Sequence, residues 1–265
     1  MTMAPDQSLP RTASPARLAL VFLILFLAYQ LPEGLGQRGL HSTPVAATLL
    51  LMFLPVAWLC GRMLGYRGLD AWYLRAPRWR VLLGGFFVLA VAAKLGALVI
   101  GTKLGVYKYS GLSAEAPGIA LTALWMLPYT FFPSIAEDIV TRGFVMRAFP
   151  ALSRRWLFIP FSALVFVLNH IYRLSNGPAE WTMLFCFGLA YAAALYYSRS
   201  LWAAVGLHWG WNYLGQLSDN VASIDALTAN SWVLSALVHL LLLAGVTVFY
   251  NRLASSARSR SFTAG

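Results

Sequence analysis

The sequence predicts an all-α membrane domain, a polytopic transmembrane helix bundle of about eight spans with the fourth span long and kinked. Three observations predict it. Of 265 residues, 59% are hydrophobic and 11% charged, far too apolar for an ordinary soluble domain of this size. Stretches such as FVLAVAAKLGALVI and WVLSALVHLLLLAGVTVFY are spread along the whole length. Trp72, Trp79, Trp156, Trp202 and Trp232 fall near segment ends, where interfacial anchors belong.

Residues 1–14 open the chain with Pro5 and Pro10 among Ser and Thr, and read as a disordered tail. Windows of about 20 apolar residues, the length that crosses a hydrocarbon core, then fall at roughly 15–34, 43–64, 81–101, 117–147, 156–174, 180–198, 201–218 and 232–252. The first, LALVFLILFLAYQL behind Arg11 and Arg17, also fits the core of a signal peptide. No A-x-A-like site follows it and Pro32-Glu33-Gly34 reads as a turn, so it is taken as a retained span. The fourth is too long for one straight span; Pro128 and Pro133 predict a kink or break, with neighbours satisfying the freed carbonyls. Residues 15–252 thus form a single membrane-embedded domain, and 253–265 a flexible basic C-terminal tail.

The net charge of +11 suggests nucleic acid until the charges are placed on the chain. Fourteen basic residues fall in the two tails and alternate loops, Arg147, Arg154 and Arg155 among them. Only Arg38, Lys103, Lys108 and Arg173 fall in the opposite loops. This asymmetry places both termini in the cytoplasm and leaves no call for a nucleic-acid partner. The usage of 17 Arg against 3 Lys is associated with GC-rich bacterial genomes, hence a bacterial inner (plasma) membrane. Cys60 and Cys186 lie in apolar segments without CxxC or Cys/His spacing and read as buried free thiols. The tail lacks a CaaX-type cysteine, so the chain is not itself a prenylation substrate.

Three polar constellations sit inside the apolar segments: Glu137-Asp138-x-x-x-Arg142, Phe166-x-x-x-His170 and His208-x-x-x-Asn212. Ionisable groups at membrane depth cost several kcal/mol unless paired or facing a wet cavity. Asp138 and Arg142 stand four apart, acid first, the favourable order for an ion pair on one helix face, which leaves Glu137 free to face a cavity. Phe166 and His170, and likewise His208 and Asn212, share faces of their own helices. From the helical rise, Glu137 lies roughly 15 Å, Asn212 roughly 19 Å and His170 roughly 22 Å from the cytoplasmic side. All can meet in one slab of membrane if the fourth, fifth and seventh spans pack together.

That set suits hydrolysis of an amide. A carboxylate stripped of water is poised as a general base, and a histidine on the same water shares or relays the proton. A second histidine and an asparagine are oxyanion donors. No core Ser or Cys has a neighbouring base that sequence identifies, which disfavours a covalent nucleophile. Glu137, His170 and His208 could instead form a His₂Glu zinc site; the H-E-x-x-H spacing is absent and no cofactor is expected, Zn²⁺ being the alternative. His239, alone on a Leu-rich face, and Lys94 read as packing residues, and Phe166 as cavity wall.

In this order and on alternate spans, EDIVTR (137–142), FVLNH (166–170) and HWGWN (208–212) resemble the CPBP family of intramembrane proteases, also called the type II CAAX prenyl endopeptidase or Abi family. The resemblance covers roughly 117–218, the motif-bearing core. It implies an eight-helix bundle in which Glu137 with His170 activates water while His208 and Asn212 stabilise the oxyanion. Asp138, Arg142 and Phe166 support them. Asp138 departs from the pattern, which usually has a second Glu there; an Asp still reaches Arg142. The resemblance implies a glutamate-dependent peptidase acting on a membrane-associated protein or peptide, with or without a lipid modification. The competing reading is a non-catalytic binding or immunity protein, or a small proton-coupled transporter, on the same scaffold.

Overall fold

The computed structural model describes residues 14–113 and 115–262, with the backbone alone for 116 and 257–262. The expected disordered tail lies outside the described residues apart from Ser14. That residue caps the first helix, α1 (Pro15–Leu31), by accepting from the Arg17 amide, with Pro15 at the first helical position. The chain continues through a π-helical turn, Pro32–Gly39, where Arg38 and Glu33 pair. Ser42 caps α2 (Thr43–Met63) in the same way.

The remaining rods are α3 (Trp79–Lys103), α4 (Ala116–Asp138) with its short continuation α5 (Phe144–Ala148), α6 (Arg155–Asn169), α7 (Pro178–Ser198), α8 (Leu201–Val221) and α9 (Trp232–Phe262). The last runs helical into the segment read above as the tail. The protein is an all-α polytopic helical bundle, and its described residues form eight helical rods at the expected places. By length and composition, six segments among the described residues can cross a membrane: Pro15–Gly39, Thr43–Met63, Trp79–Lys103, Pro117–Ala148, Pro178–Ser198 and Trp232–Ser256. The two others, α6 and α8, are the carriers of His170 and His208. The first has only 15 residues. The second carries His208, Asn212, Gln216, Asp219 and Asn220 and packs against α3, α4 and α7. A helix among neighbours has less need of an apolar surface than one facing lipid. On the outside of α4, Leu121 and Trp125 are 71% and 63% exposed, as lipid-facing residues are in a membrane protein.

Two short strands were not legible beforehand. β1 (Tyr107–Leu112) and β2 (Ala222–Ala226) pair antiparallel, with a bulge between Tyr109 and Gly111, where Gly111 takes φ +128°. The ribbon ties the α3–α4 connection to the α8–α9 connection at one end of the bundle.

At the other end, a 3₁₀ turn (Gly68–Trp72) tucks under the helices. Trp72, expected as an interfacial anchor, is fully buried there and donates to the Ala57 carbonyl at 2.9 Å. Arg147, counted above among the loop charges, is also buried. Its Nε donates to the Ala71 carbonyl at 2.8 Å and its guanidinium lies 4.4 and 4.3 Å from the Tyr66 and Tyr73 rings. Both residues clamp the loop to the bundle. Cys60 and Cys186 are buried free thiols, as expected.

Small residues set the depth of packing. On α8, Gly206 and Gly210 face α3: a Cβ on Gly206 would lie 2.6 Å from the Leu83 carbonyl oxygen, and one on Gly210 would collide with that of Phe87. The opposite face, about 200° away by helical geometry, carries His208 and Asn212 toward α4. On α7, Ala190 to Leu195 are all fully buried, and Gly188 lies against Ala163 of α6. Close approach of backbones through small residues is the usual substitute for a hydrophobic driving force in lipid.

Candidate active site

Glu137 and Asp138 are the last two residues of α4, and the helix widens immediately after them into a π-helical turn, Ile139–Gly143. The irregularity comes after the acids, whereas the sequence located it at the prolines; π-bulges are frequent at functional sites. Within the turn, Arg142 pairs with Asp138, as the spacing predicted, and both side chains are fully buried. The guanidinium lies 4.4 Å from the Phe166 ring and 5.0 Å from that of Tyr191. Its Nε and Nη2 have no hydrogen-bond partner among the described residues, so aromatic faces do part of the work of stabilising the cation. Phe166 thus serves as the platform for Arg142 more than as a cavity wall. Thr141 donates to the Glu137 carbonyl at 2.8 Å, and Ser162 of α6 to that of Thr141 at 2.8 Å, stitching the turn to its neighbour.

Asp138 has a second partner. Its Oδ1 lies 3.1 Å from Nδ1 of His208, which reaches across from α8. The other ring nitrogen, Nε2, stands 3.7 Å from Oε2 of Glu137. The ring stacks on Tyr191, whose centroid is 4.9 Å away at 20°, so one carboxylate and one aromatic face fix its orientation. If Nδ1–H donates to Asp138, Nε2 is the nitrogen free to act.

His170 differs from its expected place on a helix face. It stands just beyond the end of α6, with φ −84° and ψ 53°, and its Nδ1 returns to the Phe166 carbonyl at 2.8 Å. That bond needs a proton on Nδ1, which leaves Nε2 as the acceptor nitrogen. The same Nδ1 lies 3.5 Å from Oε1 of Glu137. The first, second and third motifs therefore converge on Glu137, which is 4% exposed.

Sequence reasoning missed three further neighbours. Asn169, next to His170, donates from Nδ2 to Oε1 of Glu137 at 3.2 Å. Gln30 of α1 donates to the Asn169 main-chain carbonyl at 2.7 Å and to its Oδ1 at 3.3 Å. Tyr29, beside it, is close enough to Glu137 to feel its charge. A usable signal existed: Gln30 is the lone carboxamide inside an apolar run, and such residues mark interhelical contacts.

Asn212 lies apart from this cluster. Its Nδ2 meets Ser134 Oγ at 3.4 Å, one turn of α4 before Glu137. The register is antiparallel, His208 facing Asp138 and Asn212 facing Ser134. Ser134 spends its own proton on the Thr130 carbonyl at 2.8 Å, which is no preparation for a nucleophile. His239 is fully buried, accepts or donates at Tyr191 Oη at 3.0 Å and stacks on Phe187, and Lys94 Nζ lies 4.8 Å from the Trp211 ring. Both are packing contacts.

Among the described residues no three His, Cys, Asp or Glu side chains form a cluster able to hold a metal. The His170 nitrogen nearest Glu137 is the one committed to the Phe166 carbonyl, so Nε2 is the nitrogen of that ring with a lone pair to offer.

Fold and site together define a polytopic membrane protein with an acid–imidazole cluster buried between its helices. Residues 119–214 match the protein-family model described as type II CAAX prenyl endopeptidase Rce1-like. The match spans all four candidate catalytic residues and supports membership of the CPBP/CAAX intramembrane protease family. No curated protein and no solved structure gives a significant match. Over that segment the chain is similar to a family of membrane proteases, and its long apolar helices are those of an integral membrane protein.

Proposed function

We propose that this protein is a glutamate-dependent intramembrane endopeptidase that needs no metal. The observation that carries the reading is the convergence on Glu137: the His170 ring, through Nδ1, stands 3.5 Å from one carboxylate oxygen and Nε2 of His208 3.7 Å from the other. Glu137 Oε1 is held by Asn169, so Oε2 is the oxygen that takes a proton from the attacking water. Nε2 of His170, an acceptor once Nδ1–H is on Phe166, shares or relays that proton and delivers it to the leaving amine. His208, in its imidazolium form with Nδ1–H on Asp138, presents Nε2–H to the oxyanion. Asn212, released from its long 3.4 Å contact with Ser134, is the second donor. Both termini face the cytoplasm of a bacterial inner membrane, and the substrate is a membrane-associated chain, with or without a lipid modification.

The test is cleavage of a farnesylated CaaX peptide and its unmodified counterpart by the purified protein in liposomes. Glu137→Ala, His170→Ala and His208→Ala should each lower turnover by about 10²–10⁴-fold while melting close to the wild type. Excess chelator should leave the wild-type rate unchanged. Stoichiometric zinc with chelator-sensitive turnover would overturn the metal-free mechanism. A Glu137→Gln protein with full biological effect would favour a non-catalytic immunity or binding role.

A further inference from the structure

From the contact between α1 and the end of α6, we infer that Asn169 is the positioning residue of Glu137 and that Gln30 sets its orientation. The inference rests on the proposed role of Glu137 as base and adds α1, which lies outside the matched segment, to the working site. A carboxamide can present either end to a neighbour, and its partners decide which. Gln30 Nε2 donates to both acceptors of Asn169, the main-chain carbonyl at 2.7 Å and Oδ1 at 3.3 Å. With Oδ1 engaged by a donor, Nδ2 is the end that faces Glu137, and it donates to Oε1 at 3.2 Å.

Three features make the relay more than incidental packing. Gln30, Asn169 and Glu137 are 7%, 3% and 4% exposed, so water does not substitute for the missing partner if one is removed. Asn169 is the last residue of α6, so the Gln30 bond also pins the point where the chain leaves the helix to place His170. Finally, Asn169 bonds Oε1, while Oε2 stands 3.7 Å from Nε2 of His208. Among the described residues no hydrogen bond joins Gln30 to Glu137 or to the histidines, so it acts through Asn169.

The experiment compares wild type, Asn169→Ala, Asn169→Asp, Gln30→Met and the Gln30→Met/Asn169→Ala double variant, full length in liposomes, on the farnesylated CaaX peptide. Asn169→Ala should lower kcat by about 10–100-fold, with KM moving less than about twofold, because geometry at the base is lost and substrate binding is not. Asn169→Asp, which keeps the shape and removes the donor, should be no better. Gln30→Met should lose less, about 3–10-fold, and the double variant should match Asn169→Ala, since a residue acting through another adds nothing once that one is gone. Losses that multiply, or a KM rising in step with the fall in kcat, would overturn the relay. Thermal unfolding supplies a readout independent of turnover. The melting shifts of Gln30→Met and Asn169→Ala, and of Asn169→Ala and Glu137→Ala, should be non-additive; additive shifts would overturn the proposal even if no peptide is cleaved. Wild-type kcat in Asn169→Ala beside an inactive Glu137→Ala would sink this inference alone. An active Glu137→Ala would sink the proposed function and leave the coupling to be read from unfolding.

Discussion

Asp138 carries two obligations through one oxygen, the ion pair with Arg142 and the contact with His208. The two can be separated. Arg142→Met leaves a carboxylate without its cation in a site with no access to solvent, at a cost of about 3–5 kcal/mol. Adding Asp138→Leu removes the stranded charge, and replacement of a buried pair by apolar residues is often neutral or better. The double variant should therefore regain most of the lost melting temperature and still fail to cleave, because Nδ1 of His208 has no acceptor. Recovery of both stability and turnover would make Asp138 a structural residue only. At this scale the spacing of the sequence was informative within a helix: it gave the Asp138–Arg142 pair and paired His208 with Asn212. It could not show that Asp138 also serves His208, or that Asn169 and Gln30 reach Glu137, since those contacts join helices whose relative rotation no local spacing encodes.

At the scale of elements, α8 is held between two neighbours by opposite faces, glycines on α3 and the His/Asn pair on α4. Gly210→Leu inserts a side chain where the Phe87 carbonyl already stands and must push α8 outward. Overpacking of this kind costs about 1–3 kcal/mol, and a displacement near 1 Å at His208 costs about 10²-fold in rate. Gly84→Ala on α3, where an added Cβ meets nothing within 4 Å, should leave turnover unchanged and raise the melting point slightly. Equal turnover in both variants would remove the glycine face from the account. The positions of the eight rods were legible because apolar windows of membrane length are a strong signal. The π-helical turn was not, because Pro128 and Pro133 give a local cue for disruption while Ile139–Gly143 carries none in its composition. His170 was placed on a helix that ends one residue earlier, because helix ends are decided by contacts that composition does not show, here a side-chain bond back to the Phe166 carbonyl and the tertiary bond from Gln30.

Over the whole molecule, composition settled the solvent before any residue was assigned a role, and the exposed Leu and Trp of α4 agree with it. The charge asymmetry still predicts cytoplasmic termini, although Arg147 has proved to be a structural arginine. A fluorescent reporter fused after Gly265 should fold and fluoresce, while the same reporter inserted at 227–230, beside the β1–β2 ribbon, should stay dark. The opposite pattern would invert the orientation. The ribbon itself escaped notice because two strands of five and six residues between long helices leave no periodic signature.

The most direct test of the central claim, that Glu137 is the base of a peptide-bond hydrolase assembled by three motifs and supported by α1, needs no assumption about substrate. Peptides released from membranes of cells producing the wild type are compared by mass spectrometry with those from cells producing Glu137→Gln at equal levels. The account predicts a set of newly cut membrane-protein fragments present only with the wild type. Identical peptide profiles from the two would contradict it.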